Sequence, residues 1–429
     1  MNNHLPFTFP EMAFIRQTVF MSGIQNVSEA VRTSLNPLSH DFQSLGSQNG
    51  KTVAVAVGSR NIDNLHIVVD QCLRFLEQSG FKPFIVPAMG SHGGATAAGQ
   101  RDVLAKYGIT EDKMKVAIVA NMETQWVATH PSGLKIFVSK AALSADYLVI
   151  INRVKPHTKF KADIESGLCK MMTIGLGKDQ GASEFHRFAV DHTFGIIESA
   201  AEILLKKLKL LFGIALIEDG YSNLAHVETI GPDQLIGREK ILLKKALNMM
   251  GRIPFDFLDI LIIDHFGKDI SGIGMDSNIT GRHRDVVGDI KMSPNIKRIF
   301  VRDLSPGSDG NANGIGLADV TTRRLVAQID KEKTYVNAMT AISPEKAAIP
   351  INFETDRMCL DACIRTTGVA NYNDLRVVRI KSTAALKYLQ VSRSLERELR
   401  ENPNMSLVSP WQKVTFNESE NLPVFFSDE

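Results

Sequence analysis

The sequence predicts an α/β protein of two α/β domains with mainly parallel sheets and an active site in the cleft between them. Three observations carry that expectation. The chain has 429 residues, and single hydrophobic cores rarely grow past roughly 250–300 residues. Its strongest apolar runs, such as KTVAVAV (51–57), are continuous rather than alternating, as strands buried on both faces require. Helical patterns separate these runs, the arrangement of a parallel sheet covered by helices.

The elements follow in order. KTVAVAV is a strand that runs into the loop GSRN, and NLHIVVDQCLRFLEQSG (64–80) reads as a helix stopped by Gly80 in a left-handed conformation. FKPFIVPAM (81–89) is the next strand, and the loop GSHGGA opens a helix that runs through Lys106 and ends at Gly108. ADYLVIINRV (145–154) and LFGIALIED (211–219) are further buried strands. The pattern restarts after Gly251–Pro254. There FLDILIIDHFG (257–267), IKRIFVRDL (296–304) and DLRVVRIKS (374–382) read as strands, and LADVTTRRLVAQID (317–330) as a helix behind SPGSDGNANGIG. Residues 1–253 are therefore expected to form an N-terminal cofactor-binding and catalytic domain, and 254–400 a C-terminal domain. Residues 401–429 are expected to be a tail that packs back on the N-terminal domain.

Composition narrows the function less than the pattern does. At 44% hydrophobic and 22% charged residues, the chain can bury an ordinary globular core. A formal net charge of +2 is too small to suggest a nucleic-acid or acidic-membrane partner. Cys72, Cys169, Cys359 and Cys363 do not make a disulfide framework in a chain this long. The CxxxC of RMCLDAC suits one face of a helix and reads as structural. The start, MNNHLPFTFPEMAF, lacks the basic and apolar segments of a signal peptide. No apolar run approaches the ~20 residues that span a bilayer, so the expected location is the cytoplasm.

The chemistry concentrates where strands end. GSHGGA lies between a strand and a helix, beyond the strand's carboxyl end, where open α/β sheets bind ligands. Gly90, Gly93 and Gly94 permit close backbone approach. Thr96 can cap the helix, and the free N–H groups there favour an anion such as a phosphate. Ser91 and His92 project from the same loop. INRVKPH also leaves a strand at its carboxyl end, and Pro156 forces Lys155 out of the helical region before His157. Arg153, Lys155, Lys159 and Lys161 crowd that loop with positive charge. Crowding and burial lower a lysine's pKa and free its amine as a nucleophile, and Lys170, ahead of the apolar MMTIGLG, is the best placed candidate. His186 and His192 stand at i and i+6, which does not put both on one helical face. Arg60, in GSRN, and Lys268, Asp269 and Arg282, in FGKDISGIGMDSNITGR (266–282), sit at strand ends suited to binding a carboxylate or other anion.

In SHGGAT, NRVKPH, ESGLCKMMTIGLGK, the EFH that follows, and GKDISGIGMDSNITGR, the chain resembles the nickel-pincer lactate racemase family. That resemblance implies a cofactor, the nickel-pincer nucleotide (pyridinium-3,5-bisthiocarboxylic acid mononucleotide), which carries Ni. It implies Lys170 as the lysine that binds one thiocarboxyl arm covalently and His186 as the protein's ligand to nickel. It implies His92 and His157 as the two catalytic bases. Arg60 and Lys268 would hold the substrate carboxylate, and the nucleotide phosphate would lie by Ser91, Gly93, Gly94 and Thr96. Inversion of a 2-hydroxy acid through hydride transfer avoids removing a weakly acidic α-proton; the cofactor supplies the electron sink and the protein orientation and proton transfer. Two imidazoles, with ordinary pKa of about 6.5, suit that proton traffic.

Two features depart from the family pattern. Arg60 is followed by Asn61-Ile62 rather than closely by prolines, and the segment from His157 to Lys170 is longer by ADIE. Both lie where substrate would sit, so the hydroxy acid, lactate-like or a sugar acid, stays open. Two other functions remain in view. One is a cofactor-binding protein of the same fold that turns over nothing. The other is a zinc-dependent hydrolase using His186, Asp191 and His192, against which the histidine spacing argues.

Overall fold

The computed structural model describes residues 9–18, 22–38, 50–59, 62–286 and 288–426. The chain divides near Met250 into two compact units. Among the described residues, the unit Met21–Met250 holds a five-stranded sheet in the spatial order Lys82–Pro87, Thr52–Val57, Tyr147–Arg153, Leu210–Glu218, Leu224–Ile230. The first four strands are parallel and the fifth closes one edge antiparallel. The inner strands are continuously apolar because helices cover both faces. Val53, Val55 and Val57 are fully buried, and the helix Leu65–Gln78 packs Leu65, Val68, Val69, Cys72, Leu73 and Leu76 into the same core. Each such side chain contributes roughly 1.5–3 kcal/mol by leaving water. Gly80 ends the helix at φ +85°, as its position in the sequence indicated.

Strand order positions the site. From Thr52–Val57 the chain crosses to Lys82–Pro87 on one side and then returns to Tyr147–Arg153 on the other. The winding reverses between Thr52–Val57 and Tyr147–Arg153, and in open sheets the ligand crevice forms outside the carboxyl ends of the strands at such a switch point. Ser59 follows the first of these strands, His157 the second, and the His92 loop follows the neighbouring Lys82–Pro87.

Among the described residues, the other unit holds a mixed eight-stranded sheet, in the order Ile351–Phe353, Val320–Thr322, Asn295–Leu304, Phe257–Phe266, Val377–Ser382, Ala385–Ser392, Met12–Gln17, Met405–Leu407. The first five strands are parallel. The last three alternate antiparallel. Its centre holds an ionic cluster in which Asp264 accepts from both Arg302 (2.6 Å) and Arg379 (2.7 and 2.8 Å).

Three expectations are corrected here. The strand Met12–Gln17 belongs to the sheet of the later unit, although the sequence reading put residues 1–253 together. Its pairing partners, Ala385–Ser392 and Met405–Leu407, lie almost four hundred residues away, beyond the reach of any local pattern. The tail packs on this same unit rather than on the N-terminal domain: Leu422 is in its core, and Arg302 and Arg379 bond the Leu422 and Pro423 carbonyls at 3.0 and 2.6 Å. The helix expected over 317–330 is a strand, Val320–Thr322, followed by a short helix, Arg323–Ala327. The β-branched VTT triplet favours the pleated surface, and Thr321 and Thr322 hydroxyls donate to the Val301 and Arg302 carbonyls at 2.8 and 2.6 Å. Cys359 and Cys363 lie in the core on the helix Asp356–Arg365, and all four cysteines are buried thiols. No helix among the described residues is long and apolar enough to cross a membrane.

Candidate active site

The site residues of the unit Met21–Met250 sit on three segments. The first is the loop 88–96. His92 is held there by a 2.7 Å bond between its Nδ1 and the Ser59 hydroxyl. A hydroxyl donates or accepts, so either neutral tautomer of His92 satisfies this contact. Thr96 caps the helix Ala97–Lys106, accepting the Gly99 N–H at 3.0 Å. Gly93 has φ +66°, and a Cβ there would stand 2.4 Å from the Gly99 carbonyl carbon, so only glycine closes this turn onto the helix. Ser91 is half-buried and Gly94 is exposed on the same turn.

The second segment runs from Lys155 to Glu165. The Glu165 carboxylate is buried and gathers the loop: it accepts the His157 N–H at 2.7 Å, the Ala162 N–H at 3.3 Å and the Lys161 ammonium at 3.0 Å. Glu165 is the last residue of the ADIE stretch, 162–165. His157 Nδ1 accepts the backbone N–H of Lys159 at 3.1 Å. Because a backbone N–H can only donate, the neutral ring carries its proton on Nε2.

Lys170 ends the short helix Leu168–Lys170 and is followed by a π-helical turn, Met171–Gly175, a backbone form that recurs at functional sites. Two contacts set this third segment. Asn152, at the end of its strand, donates to the Gly167 carbonyl at 2.8 Å. Glu239, reaching from the helix Leu235–Met249, accepts the N–H groups of Leu168 and Cys169 at 2.8 and 3.0 Å. Burial pushes the Glu239 carboxyl up to about 7, against the pull of those two bonds.

An aromatic pair joins the second and third segments. Phe160 and Phe194 stack at 4.3 Å, and both are buried. The His157 ring lies 4.4 Å from Phe160, the Lys170 amine 5.5 Å from the same ring, and the His186 ring meets Phe194 edge-on at 5.6 Å. Lys159 adds its amine over Phe194 at 5.9 Å. An imidazole, an amine and a second imidazole thus converge on one apolar wall. His186 stands on the helix Lys178–His192, while Asp191 and His192 on that helix are exposed. Among the described residues no group of three or more His, Cys, Asp or Glu side chains gathers to hold a metal. A metal at His186 would need most of its ligands from an organic group, which fits a cofactor that brings its own donors and attaches through the nearby amine.

Among the described residues of this unit the wholly buried amine is not Lys170, which is half-buried, but Lys178. Its position in GLGKDQG, a lone cation in an apolar turn, was the available signal. Phe194, Glu239 and Ser59 carried no signal in the sequence, since each acts through partners far away in the chain. Arg60 lies outside the described residues. Lys268 is in the other unit, where its amine donates to the Gly272 carbonyl at 2.5 Å and its N–H to Ser308 at 3.0 Å. Arg282 is committed to the Asp319 carboxylate at 2.5 Å and to the Ile296, Lys297 and Leu317 carbonyls, so it supports the fold rather than an anion-binding lip.

Residues 4–194 match the model of the lactate racemase N-terminal domain family. Over these residues the chain is similar to that family. Its matched segment contains His92, His157, Lys170 and His186 and ends on Phe194, the ring that meets His157 and His186. A solved structure agrees in fold over a longer span: the lactate racemase apoprotein from Thermoanaerobacterium thermosaccharolyticum superposes at a TM-score of 0.52 and 14% identity, covering 86% of this chain and 94% of that one. No curated protein sequence matches the chain.

Proposed function

We propose that this protein is a racemase or epimerase that inverts the carbinol carbon of a 2-hydroxy acid, lactate-like or a sugar acid, by reversible hydride transfer to a nickel-pincer nucleotide. The observation that carries the reading is the convergence of His157, Lys170 and His186 on the Phe160–Phe194 pair. In this reading Lys170 holds the cofactor covalently and His186 holds nickel. The loop with Ser91, Gly93, Gly94 and Thr96 receives the phosphate at the start of the helix Ala97–Lys106, whose first N–H groups favour an anion. When bound, the pyridinium nucleotide supplies an electron sink for the substrate's α-hydrogen. Arg60 and Lys268 are the proposed partners of the substrate carboxylate.

The two histidines divide the proton work unequally. His92, whose contact with Ser59 suits either tautomer, can carry its proton on Nδ1 and take the hydroxyl proton at Nε2. His157, as held by the Lys159 N–H, presents Nε2–H and donates a hydrogen bond to the substrate oxygen. It becomes a base at Nε2 only when Nδ1 releases the Lys159 N–H and carries the ring proton instead. The buried aromatic wall keeps water from the carbon that changes configuration.

The test is an intact-protein mass on material from the native host, followed by digestion. An adduct mapped to Lys170, absent in Lys170→Ala, supports the reading. An unmodified Lys170 from a host that makes the cofactor overturns it. Retained cofactor with no interconversion of enantiomers across a panel of 2-hydroxy acids would favour the non-catalytic binding protein. Nothing in the geometry favours the hydrolase: Asp191 and His192 are exposed, and the His192 ring stacks on Phe188 at 4.2 Å.

A further inference from the structure

We propose that Lys178 is a positioning residue whose amine locks the His92 loop to the helix that carries His186. The inference rests on the function proposed above for what those two segments carry, but its physical basis is separate. Lys178 is fully buried and is the first residue of the helix Lys178–His192. Its amine donates to the Pro87 carbonyl at 2.6 Å and to Gln100 Oε1 at 2.8 Å. Pro87 is the last residue of the strand that feeds the loop. Gln100, also fully buried, turns its amide back on the loop and donates to the Gly90 carbonyl at 2.8 Å and the His92 carbonyl at 3.4 Å. The Gly90 N–H closes the circuit on the Gly175 carbonyl at 3.1 Å, at the end of the π-helical turn after Lys170.

Two further observations argue that this amine is kept for its geometry rather than for stability. Both acceptors are uncharged, so the buried cation has no carboxylate in hydrogen-bonding contact to compensate its loss of water, and an apolar side chain of the same length would avoid that cost. Lys178 also has φ +55°, a left-handed conformation that a residue with a Cβ adopts only where the surroundings impose it, most often at functional sites. Burial lowers the Lys178 pKa to about 8, which still leaves the amine mostly protonated at neutral pH, so the cost of burying a cation stands.

The test uses the full-length protein as expressed. Lys178→Met keeps the chain length and removes both donors. Hydrogen exchange read by mass spectrometry should rise about tenfold in peptides covering residues 88–100, while the strand Leu210–Glu218 stays protected. The NMR titration of His92 should move in the same variant while that of His283, in the other unit, does not. A merely structural lysine would loosen the whole unit or nothing and would leave the His92 titration in place. Unchanged exchange at 88–100 with an unchanged His92 titration overturns the proposal. If Lys178→Met does not fold, Gln100→Leu, which removes the acceptor at the other end, is read in the same way. Neither readout needs the cofactor. A loosened loop in the variant, with Lys170 unmodified in wild-type protein from a host that makes the cofactor, would sink the racemase reading and leave the clamp standing.

Discussion

Glu239→Gln should make the protein more stable at neutral and alkaline pH and change little in acid. The carboxyl is 1% exposed and accepts the Leu168 and Cys169 N–H groups; an amide oxygen can keep those bonds without carrying a charge. Burial moves the carboxyl from 4.5, its ordinary value, to about 7. At roughly 1.4 kcal/mol per pH unit, that displacement is worth about 3 kcal/mol. The folded state holds this proton more tightly than the unfolded chain does, so the contribution is complete below pH 4.5 and is lost as pH rises to about 7. The amide does not titrate. The stability of Glu239→Gln minus that of the wild type should therefore climb by about 3 kcal/mol between about pH 4.5 and pH 8 and then level off. Urea unfolding across this range would measure it, with Trp411→Phe in both proteins so that Trp126 reports the unit containing Glu239. A difference that is flat with pH, or that falls as pH rises, would refute the reasoning, because it would mean that the ionised carboxylate is fully compensated where it stands.

Gly93→Ala should cost about 2 kcal/mol or more and disorder the His92 loop, because a Cβ meets the Gly99 carbonyl carbon at 2.4 Å at φ +66°. Gly94→Ala, at φ +64° with nothing within 4 Å, should cost only about 1 kcal/mol for the left-handed backbone; equal losses in denaturant unfolding would contradict the assigned clash. Asp264→Asn removes the shared counter-ion of Arg302 and Arg379, which are 7% and 1% exposed. Breaking one side of so buried a cluster should cost about 3–5 kcal/mol, read as a fall in the melting temperature followed by Trp411 fluorescence.

Much of the fold was legible because its signals are local. The continuous apolar strands of both sheets, the helix Leu65–Gln78 with Gly80 behind it, and the Thr96 cap all follow from short-range pattern and turn chemistry. The region 317–330 was misread because VTTRRLVA satisfies a helical period until the partner strand Asn295–Leu304 is in place to pair with VTT. At the site, His92, His157, Lys170 and His186 stand out as reactive side chains at strand ends or beside glycines. The groups that orient them do not stand out. Glu165 is one more acid in a charged loop, Lys178 one more lysine among several, and Glu239 lies about seventy residues from the N–H groups that it holds.

The sequence alone determined which reactive groups this chain carries, because an amine, imidazoles and glycine-rich turns are identities that no fold can supply. Tertiary structure decided how those groups can act. It set the tautomer of His157 through a backbone N–H, exchanged Lys170 for Lys178 as the dehydrated amine, and brought Phe194 under two rings and an amine that lie 8 to 37 residues before it. It also placed the first strand beside strands from the far end of the chain. The physical reason is common to all four: burial, hydrogen-bond direction and strand pairing depend on what surrounds a residue in space, and a linear pattern records only what surrounds it in the chain.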